Sequence, residues 1–256
     1  MTYKYILLVS YGCSSKNQLD KIIINVANEL QERYPKYKVD YAFLSSFMRD
    51  LLIKKENIKV DLLNEKIEQL NYMGVKEIII QPILMVPGSE FLKIENCCST
   101  YRNIKFKIGK TLLHDKTTFD ETYSLIEDYI NKDISDNTGI VFMGHGTNDF
   151  AQDKYNDYAR YISNKNNYVY LGTLEAKPDI DDILVRLERA NINIVHLYPF
   201  LIGCGAHTLK DMLGDNNYSW KYKLEKAGIK VLGHQKGLSD HIFYNKLLIN
   251  KIKKLI

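Results

Sequence analysis

The chain has 256 residues, 45% of them hydrophobic and 26% charged, with a net charge of +4 and four cysteines. These are the proportions of a globular protein with one large domain or two ordinary ones. The mild charge and the lack of a long basic run argue against a nucleic-acid binder, and no apolar stretch approaches a membrane span.

Residues 4–10 read as a buried strand, and residues 16–34 as a helix whose Leu19, Ile22, Ile23, Val26, Ala27 and Leu30 recur at helical spacing before Pro35. A second strand is expected at 38–44. A charged stretch at 54–57 follows, then a helix near 60–74 that stops at Gly74. KEIIIQPIL at 76–84 is the third strand, its continuous apolar centre typical of a parallel sheet covered on both faces. Pro87 and Gly88 open a helix near 89–99, a fourth strand falls at 103–108, and a helix at 117–131. The polar run NKDISDN at 131–137 marks a boundary, giving expected domains 1–134 and 135–256. The pattern then restarts with strand 139–143, helix 151–164, strand 168–173, helix 179–190 and strand 193–200. A short helix follows from Ala206, then helix 218–227, strand 229–233 and helix 240–255.

Strands alternating with helices imply right-handed βαβ units and parallel sheets. The fold class is therefore α/β, with two similar flavodoxin- or Rossmann-like parallel-sheet halves and a cleft between them. The halves also repeat in detail. ILLVSYGC, YAFLS and IIIQPILMVPGSE in the first correspond to IVFMGHGT, YLGTLE and VHLYPFLIGCGAH in the second. Tyr11-Gly12-Cys13 aligns with His145-Gly146-Thr147, Ser45 with Glu175, and Glu90 with His207. In open parallel sheets, ligands bind beyond the carboxyl ends of the strands. That rule selects Tyr11, Ser45 and Glu90 in one half and His145, Glu175 and His207 in the other.

Two imidazoles and a carboxylate suit a borderline divalent metal such as cobalt, iron, nickel or zinc, with positions left open for substrate. The same groups could instead transfer protons. The other histidines read as uninvolved: His196 lies inside a strand, and His114, His234 and His241 fall on loops or surface. No P-loop and no GxGxxG fingerprint is present. GlyHisGly is shared with phosphohistidine phosphatases, but Gly144 stands where their arginine would be. The cysteines, Cys13, Cys97, Cys98 and Cys204, fit neither a disulfide framework nor a zinc ribbon. Reduced thiols in the cytoplasm are the expectation. The first apolar run, at 6–9, is too short for a secretory signal.

The chain resembles the class II tetrapyrrole chelatases, and among them the anaerobic cobalt chelatases of cobalamin biosynthesis. The stretches that carry the resemblance are VFMGHGTND at 141–149, GTLEAKPDI at 172–180 and YPFLIGCGAHTLKDMLGDNNYSWKYKLEKAGIKV at 198–231. FLS at 43–45 and PGSE at 87–90 agree as well. The resemblance implies a lyase-class enzyme that inserts Co²⁺ into sirohydrochlorin or precorrin-2 without ATP and needs no cofactor beyond the substrate metal. It implies that His145, Glu175 and His207 contact the metal, with Glu90 facing them from the first half, and it leaves a homo-oligomer open. Fe²⁺ or Ni²⁺ as the metal, or a carrier without catalysis, are the alternatives. The chain departs from the family at Leu84, where a histidine is common, and at Ala176, where glycine is common.

Overall fold

The computed structural model describes residues 4–135 and 137–256. The described chain forms two compact units. One holds the residues up to Leu112 together with Ile242–Ile256, and the other spans Leu113–His241.

In the first unit the strands are β1 (Lys4–Ser10), β2 (Tyr37–Phe43), β3 (Glu77–Ile83) and β4 (Lys105–Ile108). They form one parallel sheet in the order β2-β1-β3-β4. β1 is buried from Tyr5 to Ser10, as expected of a central strand covered on both faces. Helices α4 (Leu63–Tyr72) and α5 (Ser89–Ser99) cover one face, where Ile67, Leu70, Phe91 and Ile94 pack with Leu7, Val9, Ile78 and Ile80. Leu84 joins this core. The expected helix after β1 is α1 (Lys16–Leu19) and α2 (Asn25–Arg33), joined by a π-wound turn at Asp20–Ile24.

The second unit contains α6 (Lys116–Asp133), α7 (Gln152–Lys165), α8 (Ile180–Arg189) and α9 (Trp220–Lys226). Its strands are β5 (Thr138–Gly144), β6 (Val169–Thr173), β7 (Ile194–Pro199) and β8 (Lys230–Gly233). Their order, β6-β5-β7-β8, repeats that of the first sheet, again all parallel. Even the register repeats, with Val9 opposite Pro82 in one sheet and Met143 opposite Pro199 in the other.

Two features differ from expectation. A helix, α3 (Ser46–Glu56), lies where only a charged stretch was noted. The compact units also divide the chain differently from a single cut after residue 134. α6 packs on β5 and α7, with Phe119 edge-on to Tyr158 at 5.2 Å, and so belongs with the second sheet. The last helix, α10 (Tyr244–Lys253), packs on α2 and β3 of the first unit. There the Tyr244 hydroxyl donates to the Ile22 carbonyl and the Lys251 ammonium to that of Thr111, both at 3.3 Å. Among the described residues, no helix is long and apolar enough to cross a membrane.

Candidate active site

The carboxyl end of β5 turns through Gly144-His145-Gly146. Gly146 has φ +77°, and a Cβ there would sit 2.7 Å from Thr173 Cβ, so both backbone freedom and lack of volume are needed. A Cβ on Gly144 would meet the Tyr155 ring at 3.0 Å. Burial pushes the Tyr155 phenol up, against a smaller opposing bond from the Gly146 backbone, and it stays neutral beneath the turn.

The neighbouring tip is tied to this one by main chain. Leu174 N–H donates to the carbonyl of Gly144 at 3.1 Å, and Glu175 N–H to that of His145 at 3.0 Å. The first unit repeats the device, with Leu44 donating to Ser10 at 2.9 Å and Ser45 to Tyr11 at 3.1 Å. Gln152 braces the second-unit tips from α7. Its carbonyl accepts from Thr147 N–H at 2.9 Å, and its amide donates to the Lys177 carbonyl at 3.0 Å. Thr173 Oγ1 donates to the Ala176 carbonyl at 2.7 Å and closes the loop that carries Glu175.

These constraints bring the three expected residues together. His145 Nε2 lies 3.7 Å from Glu175 Oε1, and the His145 and His207 rings are perpendicular with centroids 4.8 Å apart. His145 Nδ1 donates to the Gly146 carbonyl at 3.1 Å, and His207 Nδ1 to Asp211 Oδ2 at 2.7 Å. Each bond fixes the proton on Nδ1 and leaves the Nε2 lone pair available. A cavity of about 340 Å³ beside them is lined by Glu175, His207, Asp211, Tyr218 and Lys223, among others. The side chains of His145, Glu175 and His207 are 38%, 44% and 49% exposed, open enough for a hydrated cation to reach them.

The SerTrp pair at 219–220 supports this face. Ser219 Oγ caps α9 by accepting from Tyr222 N–H at 3.1 Å, while buried Trp220 packs against β6, its ring 2.9 Å from where a Cβ on Gly172 would be. Lys177 is held by Asp179 at 2.9 Å and Asp182 at 3.0 Å. Burial pushes the Asp179 carboxyl up, but the bonds from Lys177 and from Asp182 outweigh it and leave it below the ordinary carboxylate value.

In the first unit, Tyr11 is exposed after β1, and Ser45 caps α3 by accepting from Met48 N–H at 3.3 Å. Glu90 lies in the first turn of α5, where its Oε1 accepts from Lys93 at 2.6 Å. Its Oε2 is buried and has no hydrogen-bond partner among the described residues. Asp211 and Gln152 were not singled out from sequence. The His207-to-Asp211 spacing of four on a helical turn was the available signal for the first.

Residues 4–256 match the model of the family described as cobalt chelatase (CbiK). The chain belongs to the cobalt chelatase family. One relative of this chelatase is the sirohydrochlorin cobaltochelatase CbiKC of Nitratidesulfovibrio vulgaris, 25% identical over 245 residues that cover 94% of this chain and 86% of the relative. Another is the sirohydrochlorin cobaltochelatase of Salmonella typhimurium, 24% identical over 240 residues that cover 93% and 90%. Among solved structures, SirB from Bacillus subtilis with Fe³⁺ superposes on this chelatase with a TM-score of 0.66 at 16% identity, covering 99% of this chain and 95% of that one. The sirohydrochlorin chelatase SirB of Bacillus subtilis subspecies spizizenii, in complex with cobalt, gives 0.62 at 13%, with the same coverage. These two likenesses show the fold, the α/β architecture with two similar halves that the repeat led us to expect.

Proposed function

We propose that this cobalt chelatase inserts Co²⁺ into sirohydrochlorin or its precorrin-2 precursor without ATP, as a lyase acting in the cytoplasm. The observation that carries the assignment of residues is the meeting of His145, Glu175 and His207 with both imidazole Nε2 atoms freed by Nδ1 bonds. The sirohydrochlorin cobaltochelatase names of its two relatives support the substrate.

Metal insertion requires the ion to shed water and the macrocycle to lose two pyrrole N–H protons. His145 and His207 take the arriving ion on Nε2, replacing part of its hydration shell. Three protein ligands hold it incompletely, so it can be passed on to the ring nitrogens. Glu175 supplies negative charge beside His145 or accepts one of the two pyrrole protons, and the remainder passes to bulk water. Tyr11, Ser45 and Glu90 are assigned to the macrocycle by the strand-end rule. Glu90 keeps one buried carboxylate oxygen that meets no donor among the described residues.

The test is anaerobic incubation of catalytic protein with sirohydrochlorin and Co²⁺, Fe²⁺ or Ni²⁺ separately, following absorbance against a protein-free control. Accelerated insertion of Co²⁺ over many turnovers is expected, with His145→Ala and His207→Ala inactive but folded. Binding without acceleration would refute the catalytic reading, and normal turnover in both variants would refute the site.

A further inference from the structure

A second group of metal-capable side chains lies in the same unit, outside the site above. Asp133, His196 and His234 place one ligand atom each within 4.8 Å of one another. His196 Nδ1 is 3.1 Å from His234 Nε2 and 3.2 Å from Asp133 Oδ2. Three elements contribute: the last residue of α6, the middle of β7, and the residue after β8. β7 and β8 pair in parallel with His196 opposite Leu232, so His234, two residues on, projects from the same face as His196.

The two spacings about His196 are those of a coordination shell. Metal–ligand bonds of about 2.0–2.1 Å in a tetrahedral site hold ligand atoms roughly 3.3 Å apart. Hydrogen bonding alone leaves the cluster underused. A single proton on His196 Nδ1 is confronted by both a carboxylate oxygen and an imidazole nitrogen, and it can serve only one of them well. A cation at the centre serves all three atoms.

The surroundings fix the rings in advance. Tyr129, Tyr198, His234 and His196 form a continuous stack, with successive centroids 4.8, 3.9 and 5.2 Å apart and interplanar angles of 12°, 6° and 17°. The Tyr198 hydroxyl donates to Asp133 Oδ2 and orients the carboxylate, an outer hydrogen bond of the kind that commonly supports metal ligands. Side-chain exposures of 16% for His196 and 10% for Asp133 shield the group from water.

We infer that Asp133, His196 and His234 form a second binding site for a first-row divalent cation of the Zn²⁺, Co²⁺ or Ni²⁺ type, separate from His145, Glu175 and His207. A bound ion ties the end of α6 to β7 and β8 and stabilises the second unit. Two nitrogens and one oxygen favour this class over Mg²⁺ or Ca²⁺.

The test titrates Co²⁺ alone into chelator-treated full-length protein, with bound metal counted by equilibrium dialysis and the visible d–d spectrum recorded. Wild-type protein should take up two equivalents, and a His145→Ala/His207→Ala double variant should retain one. Adding His234→Gln to that background should weaken the remaining binding at least about 10-fold and remove its spectrum. Tyr198→Phe in the same background, which keeps all three ligands, should keep the stoichiometry. Circular dichroism establishes that each variant is folded, and a rise in melting temperature with Co²⁺ should disappear with His234→Gln. Failure of the His145→Ala/His207→Ala protein to bind Co²⁺, or undiminished binding after His234→Gln, would overturn the inference.

Discussion

Removal of the Asp211 carboxylate isolates the orientation of His207 from the proposed metal ligands themselves. In Asp211→Ala the imidazole loses its 2.7 Å bond at Nδ1. A hydrogen bond to a charged group contributes about 1.5–3 kcal/mol when enclosed, whereas exposed ion pairs contribute about 0–1 kcal/mol. Asp211 is 33% exposed and His207 49%, so water replaces much of the lost bond and the lower end applies. The larger consequence is that the ring can rotate and exchange tautomers, so that Nε2 is presented only part of the time. A combined loss of about 1.4 kcal/mol corresponds to roughly tenfold. Initial rates of Co²⁺ insertion into sirohydrochlorin, measured with Co²⁺ varied at saturating macrocycle, should show kcat/KM for the metal reduced about 10-fold. KM for the macrocycle and the unfolding midpoint should stay near wild type. Asp211→Asn, whose amide oxygen still accepts from Nδ1, should recover most of the loss. Wild-type kcat/KM in Asp211→Ala, or an Asn variant as impaired as the Ala variant, would show that Asp211 does not position His207.

Gly146→Ala forces a side chain into a φ of +77° and against Thr173, so a destabilisation of at least about 1–2 kcal/mol is expected in urea unfolding, together with a loss of insertion activity as the tips separate. His241 is buried, with Asp128 3.5 Å away and the Tyr129 ring edge-on at 5.5 Å. Burial lowers its pKa from 6.5 despite Asp128. The unfolded chain therefore takes up the proton first, so the contribution to stability is complete above pH 6.5 and drains away as pH falls from there to the folded-state value. His241→Gln should flatten the decline in urea midpoint between about pH 7.5 and about pH 5. Burial raises the Cys13 thiol to about 11 and the Cys98 thiol to about 12, so a disulfide reagent at mildly alkaline pH should modify these two only when the protein unfolds.

The strands were legible because buried parallel strands leave unmistakable apolar runs, and the tips were legible because the two halves repeat. α3 was not, because SFMRDLLIKKE buries only Leu52 and shows no stripe at helical spacing. The apolar face of α10 declares that the helix is packed, but not against which sheet, since periodicity carries no information about a partner. His145, Glu175 and His207 could be placed at adjacent strand ends from the repeat alone. The Asp133–His196–His234 group could not, because its members are joined by the β7–β8 register and by a helix end distant in sequence. His196 and His234 stand 38 residues apart, and Tyr198 and Asp133 are separated by 65. Leu84 shows the limit in the other direction. Its departure from the family pattern is visible in the sequence, but only the structure shows it to be part of an apolar core.

Because the chain enters the second unit after Leu112 and returns to the first at Ile242, the second unit is a continuous insertion within a discontinuous one. Leu113–His241 is therefore assembled from one unbroken run of sequence. The first unit needs α10 to cover α2 and β3 and Lys251 to reach the Thr111 carbonyl. Covering the amino-terminal sheet therefore takes contacts such as Lys251 to Thr111, 140 residues apart in sequence, and loss of α10 would uncover apolar surface in that half alone.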